Sequence, residues 1–149
     1  MTTALASPTY HDLIGLLANE RRLLERLLFR HAEISMLIAA GEHRFVGKAV
    51  DEALEVEAEL AACDLMRAML ITGLSMDGDD RTMTALITEA PDEFKQPLTD
   101  ITVEMRRVMT QVDRYRHEAA AWAGDRAEQV RQAIERFGSD SYLDGRFGS

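Results

Sequence analysis

From Leu98 the apolar residues recur at alternating steps of three and four: Leu98, Ile101, Met105, Val108, Val112, Tyr115, Ala119, Trp122. That spacing predicts one seam of a long helix packed on other helices, in register for more than three heptads. After Trp122 the row slips to Ala123, Ala127, Val130, Ile134 and Phe137, with the step at Gly124. The seam therefore predicts two segments joined at Gly124. The first holds a bundle, and the second carries a thin apolar edge with a charged remainder (Arg126, Glu128, Arg131, Glu135).

Upstream, a wider stripe runs through Leu13, Leu16, Leu17, Leu23, Leu24, Leu27, Leu28, Ile34, Leu37 and Ile38. Its width predicts a first helix touching at least two neighbours. Ser7-Pro8 reads as its start, with Thr9 and Asp12 as a competing cap, and Gly41 ends it. Arg21, Arg22, Arg26 and Arg30 fall on the outward side, while Glu20 falls within the apolar rows, where an arginine would pair with it. The second helix turns Phe45, Val46, Ala49, Val50, Ala53, Val56, Leu60, Cys63, Met66 and Leu70 inward. Outward it carries six carboxylates between Lys48 and Arg67: Asp51, Glu52, Glu55, Glu57, Glu59 and Asp64. They could be a solvated face, pair with the first helix, or steer a basic partner. Asp80 caps a short helix ended by Pro91. The long helix begins near Asp92 or near Pro97; a proline is tolerated only in a first turn, which favours Pro97, with 92–96 a loop or separate turn, and Gly138 sets its end. The expected architecture is all-α: an antiparallel long-helix bundle of one domain, with helices at 9–40, 43–72, 81–90 and 97–137. The 81–90 helix forms a lid and 138–149 a flexible tail.

Composition agrees with this class. Hydrophobic residues make up 46% of the 149, aromatics only 6%, and there are three prolines, as expected for long helices in a single core. The net charge of −9 argues against nucleic acid, which needs a basic face, and against an anionic membrane surface. No run approaches the ~20 apolar residues of a bilayer span. The one cysteine cannot form an internal disulfide, and the N-terminus lacks a secretion pattern, so a reducing cytoplasm is the simplest home.

Candidate chemistry is sparse. A di-iron bundle needs Glu-x-x-His, and none of the four histidines (His11, His31, His43, His117) has a glutamate three residues before it. Asp77, Asp79 and Asp80 suggest calcium, but the loop positions that need glycine and glutamate hold Thr82 and Thr88. His43-Arg44-Phe45-Val46-Gly47 is only a faint phosphotransfer pattern, with Val46 where lysine belongs. No phosphate loop or nucleophile constellation is present. The expectation is a protein-binding protein without enzymatic activity, metal or cofactor. Eight methionines either fill core gaps or soften a surface for a partner helix. The row Ala127, Val130, Ile134, Phe137 suits docking on a single helix.

Leu27-Leu28-Phe29, Leu37, Ala39-Ala40-Gly41, Arg44-Phe45-Val46, Ala49, Glu52, Val56, Leu60, Leu65 and Arg67-Ala68 together resemble the FlgN family of flagellar export chaperones, in register from Leu13 to Ala68. The resemblance implies a cytoplasmic chaperone of flagellar type III export. Such a protein binds the C-terminal helices of the hook–filament junction proteins FlgK and FlgL and delivers them to the export gate protein FlhA. It also implies gate docking by a tail tyrosine before a glycine. Tyr142 matches, although Gly145 follows it by three residues where the family has four, and folding back onto the bundle is the other role open to it. The client would bind Ala127, Val130, Ile134 and Phe137. A second hypothesis is a self-associating coiled-coil scaffold, in which that row closes a homodimer.

Overall fold

In a computed structural model, residues 9–74 and 83–143 are described, with side chains to Arg136. All elements among them are helical: α1 (Tyr10–Ala39), a single 3-10 turn (His43–Phe45), α2 (Val46–Leu74), α3 (Met83–Glu89) and α4 (Asp92–Leu143).

The ends of α1 follow local chemistry. The Thr9 hydroxyl accepts from the Asp12 backbone N–H at 3.2 Å, and the Asp12 carboxylate accepts from the Thr9 N–H at 2.9 Å. This reciprocal cap satisfies two otherwise free donors, and it holds the Asp12 carboxyl below its ordinary range. The alternative start at Ser7-Pro8 lies outside the described residues. At the other end Gly41 takes φ 73°, a region nearly closed to other residues. Its N–H then donates to Ile38 O at 3.1 Å, and Glu42 N–H donates to Leu37 O at 2.9 Å. Those two bonds close the helix and reverse the chain.

Cross-helix ion pairs give the directions. Arg67, Glu59 and Glu52 of α2 meet Glu20, Arg26 and Arg30 of α1, so α2 runs antiparallel to α1. Glu104 meets Arg21, and Leu98 packs near Leu13 and Leu17 while Val108 and Val112 join Leu24 and Leu27, so α4 runs parallel to α1. Both α2 and α4 pack along α1, and their backbones stay apart. Two core clusters result. One joins α1, α2 and α4 around Leu23, Leu24, Leu27, Val56 and Val112. The other joins α1, α3 and α4 around Leu13, Leu17, Leu86 and Leu98. The short helix acts as a lid over the lower end, with Leu86 and Ala90 buried.

Several boundaries differ from those read in the pattern. Helix α4 starts at Asp92, not Pro97, and Pro97 lies inside it. The first turn is anchored by Phe94, whose ring stacks on Tyr10 at 5.5 Å and meets His11 edge-on at 4.8 Å. That contact offsets one missing hydrogen bond on an exposed turn. Helix α4 also runs through Gly138 to Leu143, so residues 138–143 are not a coil tail; 144–149 lie outside the described residues. Phe45, which falls in the 3-10 turn, and Val50 and Met66 of α2 are exposed rather than inward. The loop carrying Asp77, Asp79 and Asp80 is likewise not described.

At Gly124 the helix is unbroken, and a Cβ built there meets nothing within 4 Å. Gly124→Ala should therefore strengthen the helix by about 0.5–1 kcal/mol. Slower amide exchange across 120–130 is the expected readout; faster exchange would mean that the helix bends there.

Candidate protein-docking surfaces

Because the backbones of α2 and α4 stay apart on either side of α1, a trough opens above α1. Leu17, Glu20, Leu24 and Leu27 form its floor, Leu60, Ala61, Asp64, Arg67 and Ile71 its α2 wall, and Met105, Arg106 and Met109 line its α4 side. Its volume is about 650 Å³. One end is spanned by Arg116 of α4 on Glu57 of α2 at 2.6 Å, and Met83 of α3 lies at the other. From Thr102 to Arg116 the trough follows four turns of α4, about 21 Å at 1.5 Å per residue.

Glu20 in the trough and His31 beside its Arg116–Glu57 end have shifted pKa values. Glu20 is 1% exposed. Its Oε2 accepts from Arg67 at 2.7 Å, and its Oε1 has no partner. Burial raises its pKa, while Arg67 pulls the other way. The arginine expected to pair with it thus comes from α2, not from its own helix. His31 lies beside Glu57 at 3.8 Å, close to Arg116. Burial, and then the Arg116 charge, lower its pKa, and Glu57 offsets only part of that.

The acidic face of α2 is largely spent on pairing. Glu52 reaches Arg30 at 3.0 Å, Glu59 reaches Arg26 at 3.5 Å, and Asp64 shares Arg67 at 3.1 Å. Arg106, by contrast, lines the trough with no ion pair among the described residues. Cys63 is buried, and its sulfur accepts from Asn19 at 3.4 Å. His43 stacks on Trp122, 5.4 Å between ring centres, which binds the hairpin turn to α4 and gives that histidine a packing role. No group of three or more His, Cys, Asp or Glu among the described residues is placed to hold a metal, and no described helix is long and apolar enough to cross a membrane.

The second surface begins where the first ends. The turn at Gly41 marks the top of the α1–α2 hairpin, Trp122 is the last partly buried residue among the described side chains of α4, and residues 123–136 are all exposed. This is the physical cause of the slipped seam: beyond Trp122 the described residues offer no helix to pack against. Of the row expected to bind a partner, Ala127 is exposed, Val130 is 46% exposed and Ile134 66%. The side chains of Phe137 and Tyr142 lie outside the described ones. The arm is stiffened by Arg131, which bridges Glu128 and Glu135 within the helix. The pattern exposed the arm but not the trough, because the trough depends on which faces of α1 are shared. A carboxylate inside an apolar row was its one sequence signal.

Compared with known protein families, with curated proteins and with solved structures, the chain matches none.

Two outcomes follow from the buried pairs. Arg67→Ala leaves the Glu20 carboxylate buried and alone, and should cost about 2–3 kcal/mol at pH 7, since Arg67 is itself partly solvated. The loss should shrink toward pH 5 as Glu20 takes up a proton, read by urea unfolding; a pH-independent loss would contradict the pairing. His31, with its pKa lowered in the folded state, supports stability above 6.5 that is lost as the pH falls. The stability advantage of the native chain over His31→Gln should therefore be larger at pH 7.5 than at pH 5.5.

Proposed function

We propose that this chain is a cytoplasmic export chaperone of the flagellar type III system, with no enzymatic role. It holds the C-terminal helices of hook-junction proteins of the FlgK and FlgL type on its α4 arm, keeps them unassembled, and passes them to the gate protein FlhA through Tyr142. The observation that carries this reading is the bare arm: a helix of full hydrogen-bonded length whose Val130 and Ile134 face solvent. A monomer gains nothing by extending an amphipathic helix past its own core, whereas a client helix laid along it buries both rows. The resemblance of Leu13–Ala68 to the FlgN family supports the same reading and supplies the class of client.

Burying Val130 and Ile134 contributes about 1.5–3 kcal/mol each. Val130→Asp with Ile134→Asp should therefore weaken binding of a hook-junction protein's C-terminal helix by at least about 100-fold, measured by calorimetry. Unchanged affinity in a variant of native helicity would remove the arm as the client surface.

A further inference from the structure

We infer that the outward face of α2 pairs with the same face of a second copy of this chain, the two helices crossing antiparallel at Ala58 and Ala61. The pairing uses no residue of the α4 arm and does not depend on the proposed client binding.

Helix α2 keeps small residues inside and large ones outside. Its buried residues are Ala49, Ala53, Val56 and Cys63, whereas Leu54 is 54% exposed, Leu65 is 65% exposed, and Val50 and Met69 are exposed with them. Together with the exposed Ala58 and Ala61, these four follow one another at steps of four, four, three, four and four, which keeps all six on one face. That face is turned away from the bundle. Leu54 and Cys63, Ala58 and Ala49, and Leu65 and Val56 each lie nine residues apart, which is two and a half turns and therefore opposite sides of the helix. A single exposed leucine is ordinary, but a continuous apolar row of this length marks an interaction surface. Nothing among the described residues covers it.

What fits this row is the row itself. Val50 and Met69, Leu54 and Leu65, and Ala58 and Ala61 are placed symmetrically about the midpoint between Glu59 and Leu60. A twofold axis through that midpoint sets each member of a pair level with the other member in the partner copy, as an isologous contact requires. Side-chain size follows the same symmetry. The two alanines fall where the axes cross, which permits approach at about 8 Å, the close end of helix packing. The larger pairs lie about 8 Å and 14 Å from the crossing along the axis, where crossed helices diverge and leave room for them. A partner of unrelated sequence gives no reason for the sizes on α2 to be mirrored about one point.

Charge selects the direction. Glu52, Glu57, Glu59, Asp64 and Arg67 are held in ion pairs with α1, with α4 or with each other. Lys48, Asp51 and Glu55 are exposed and take part in no ion pair among the described residues. A parallel pair would set each of these three against its own copy. The antiparallel pair separates the two Glu55 by nine residues, about 14 Å, and the two Asp51 by seventeen, about 26 Å, so the like-charge repulsion is avoided.

Light scattering of the full chain over about 1 to 100 µM should show a dimer. Leu54→Lys with Leu65→Lys, both at exposed positions outside the core, should raise its dissociation constant at least about 100-fold at native helicity. A second measurement leaves the rest of the row intact. In a Cys63→Ala background, a short bis-maleimide should join a Leu54→Cys chain to a Leu65→Cys chain when the two are mixed. Neither should be joined to itself, because like positions lie about 17 Å apart along the pair. A native chain that is monomeric at all concentrations, a dimer indifferent to the two lysines, or crosslinking of Leu54→Cys to itself would overturn the proposal. The lysine variant leaves the arm row untouched, so loss of the dimer with client binding preserved separates this inference from the proposed function. A monomeric native chain whose client binding is lost in that variant would give the α2 face to the client instead, and would overturn the pairing.

Discussion

Everything in this fold depends on α1 having two apolar faces and being the one helix that both long neighbours pack against. Leu23, Leu24, Leu27 and Ile34 pack in one cluster with residues of both α2 and α4, while Leu13 and Leu17 pack with Leu86, Leu98 and Ile101, and the two neighbours are joined to each other mainly through α1. In a closed bundle the third contact would bury the remaining apolar edges. Here that contact is limited to side chains such as Arg116 on Glu57, and the floor of α1 between them forms a trough with a carboxylate in it. The buried Glu20 is tolerable because Arg67 reaches across from α2, a pairing whose attraction must offset the desolvation of both groups.

The ion pairs around that core serve register more than stability. Exposed pairs contribute about 0–1 kcal/mol each, and most of those here are at least a third solvated. Their placement is what matters. Arg21 fixes α4 through Glu104, and Arg26 and Arg30 fix α2 through Glu59 and Glu52. The arginines that look outward on a wheel of α1 thus straddle both seams. A slip of either neighbour by one turn would break its pairs and bring the wrong side chains to the Leu-rich faces.

The same arrangement sets where the bundle stops. Gly41 ends α1 by taking a left-handed conformation, the hairpin reverses, and His43 on that turn stacks on Trp122. Helix α4 has no reason to stop there, since nothing breaks it until well past the hairpin. Its continuation is an arm with an apolar row and no neighbour, stiffened by Arg131 between two glutamates. An open trough and a free arm on one molecule each leave apolar positions uncovered by the described residues.

The amino-acid sequence by itself determined the all-α class, the helix-ending Gly41, the Thr9–Asp12 cap, and the bare row from Ala127 through Ile134. These are local features: periodicity, capping and the sudden lack of apolar residues at the continuing seam positions Arg126, Gln129 and Arg136 are all readable along one helix. A linear reading favours Pro97 as the start of α4 because a single proline outweighs its neighbours there, whereas Phe94 stacked on Tyr10 outweighs the proline in space. Likewise Gly138 reads as a stop although the helix passes through it, and Val50 and Met66 read as core although α2 turns only one narrow face to α1. What only the tertiary structure decided was that α2 and α4 stay apart, that Arg67 is the partner of Glu20, and that a trough lies open between them. Those depend on how wide apolar stripes are divided between neighbours, and a stripe's width along one helix does not say which part of it each neighbour takes.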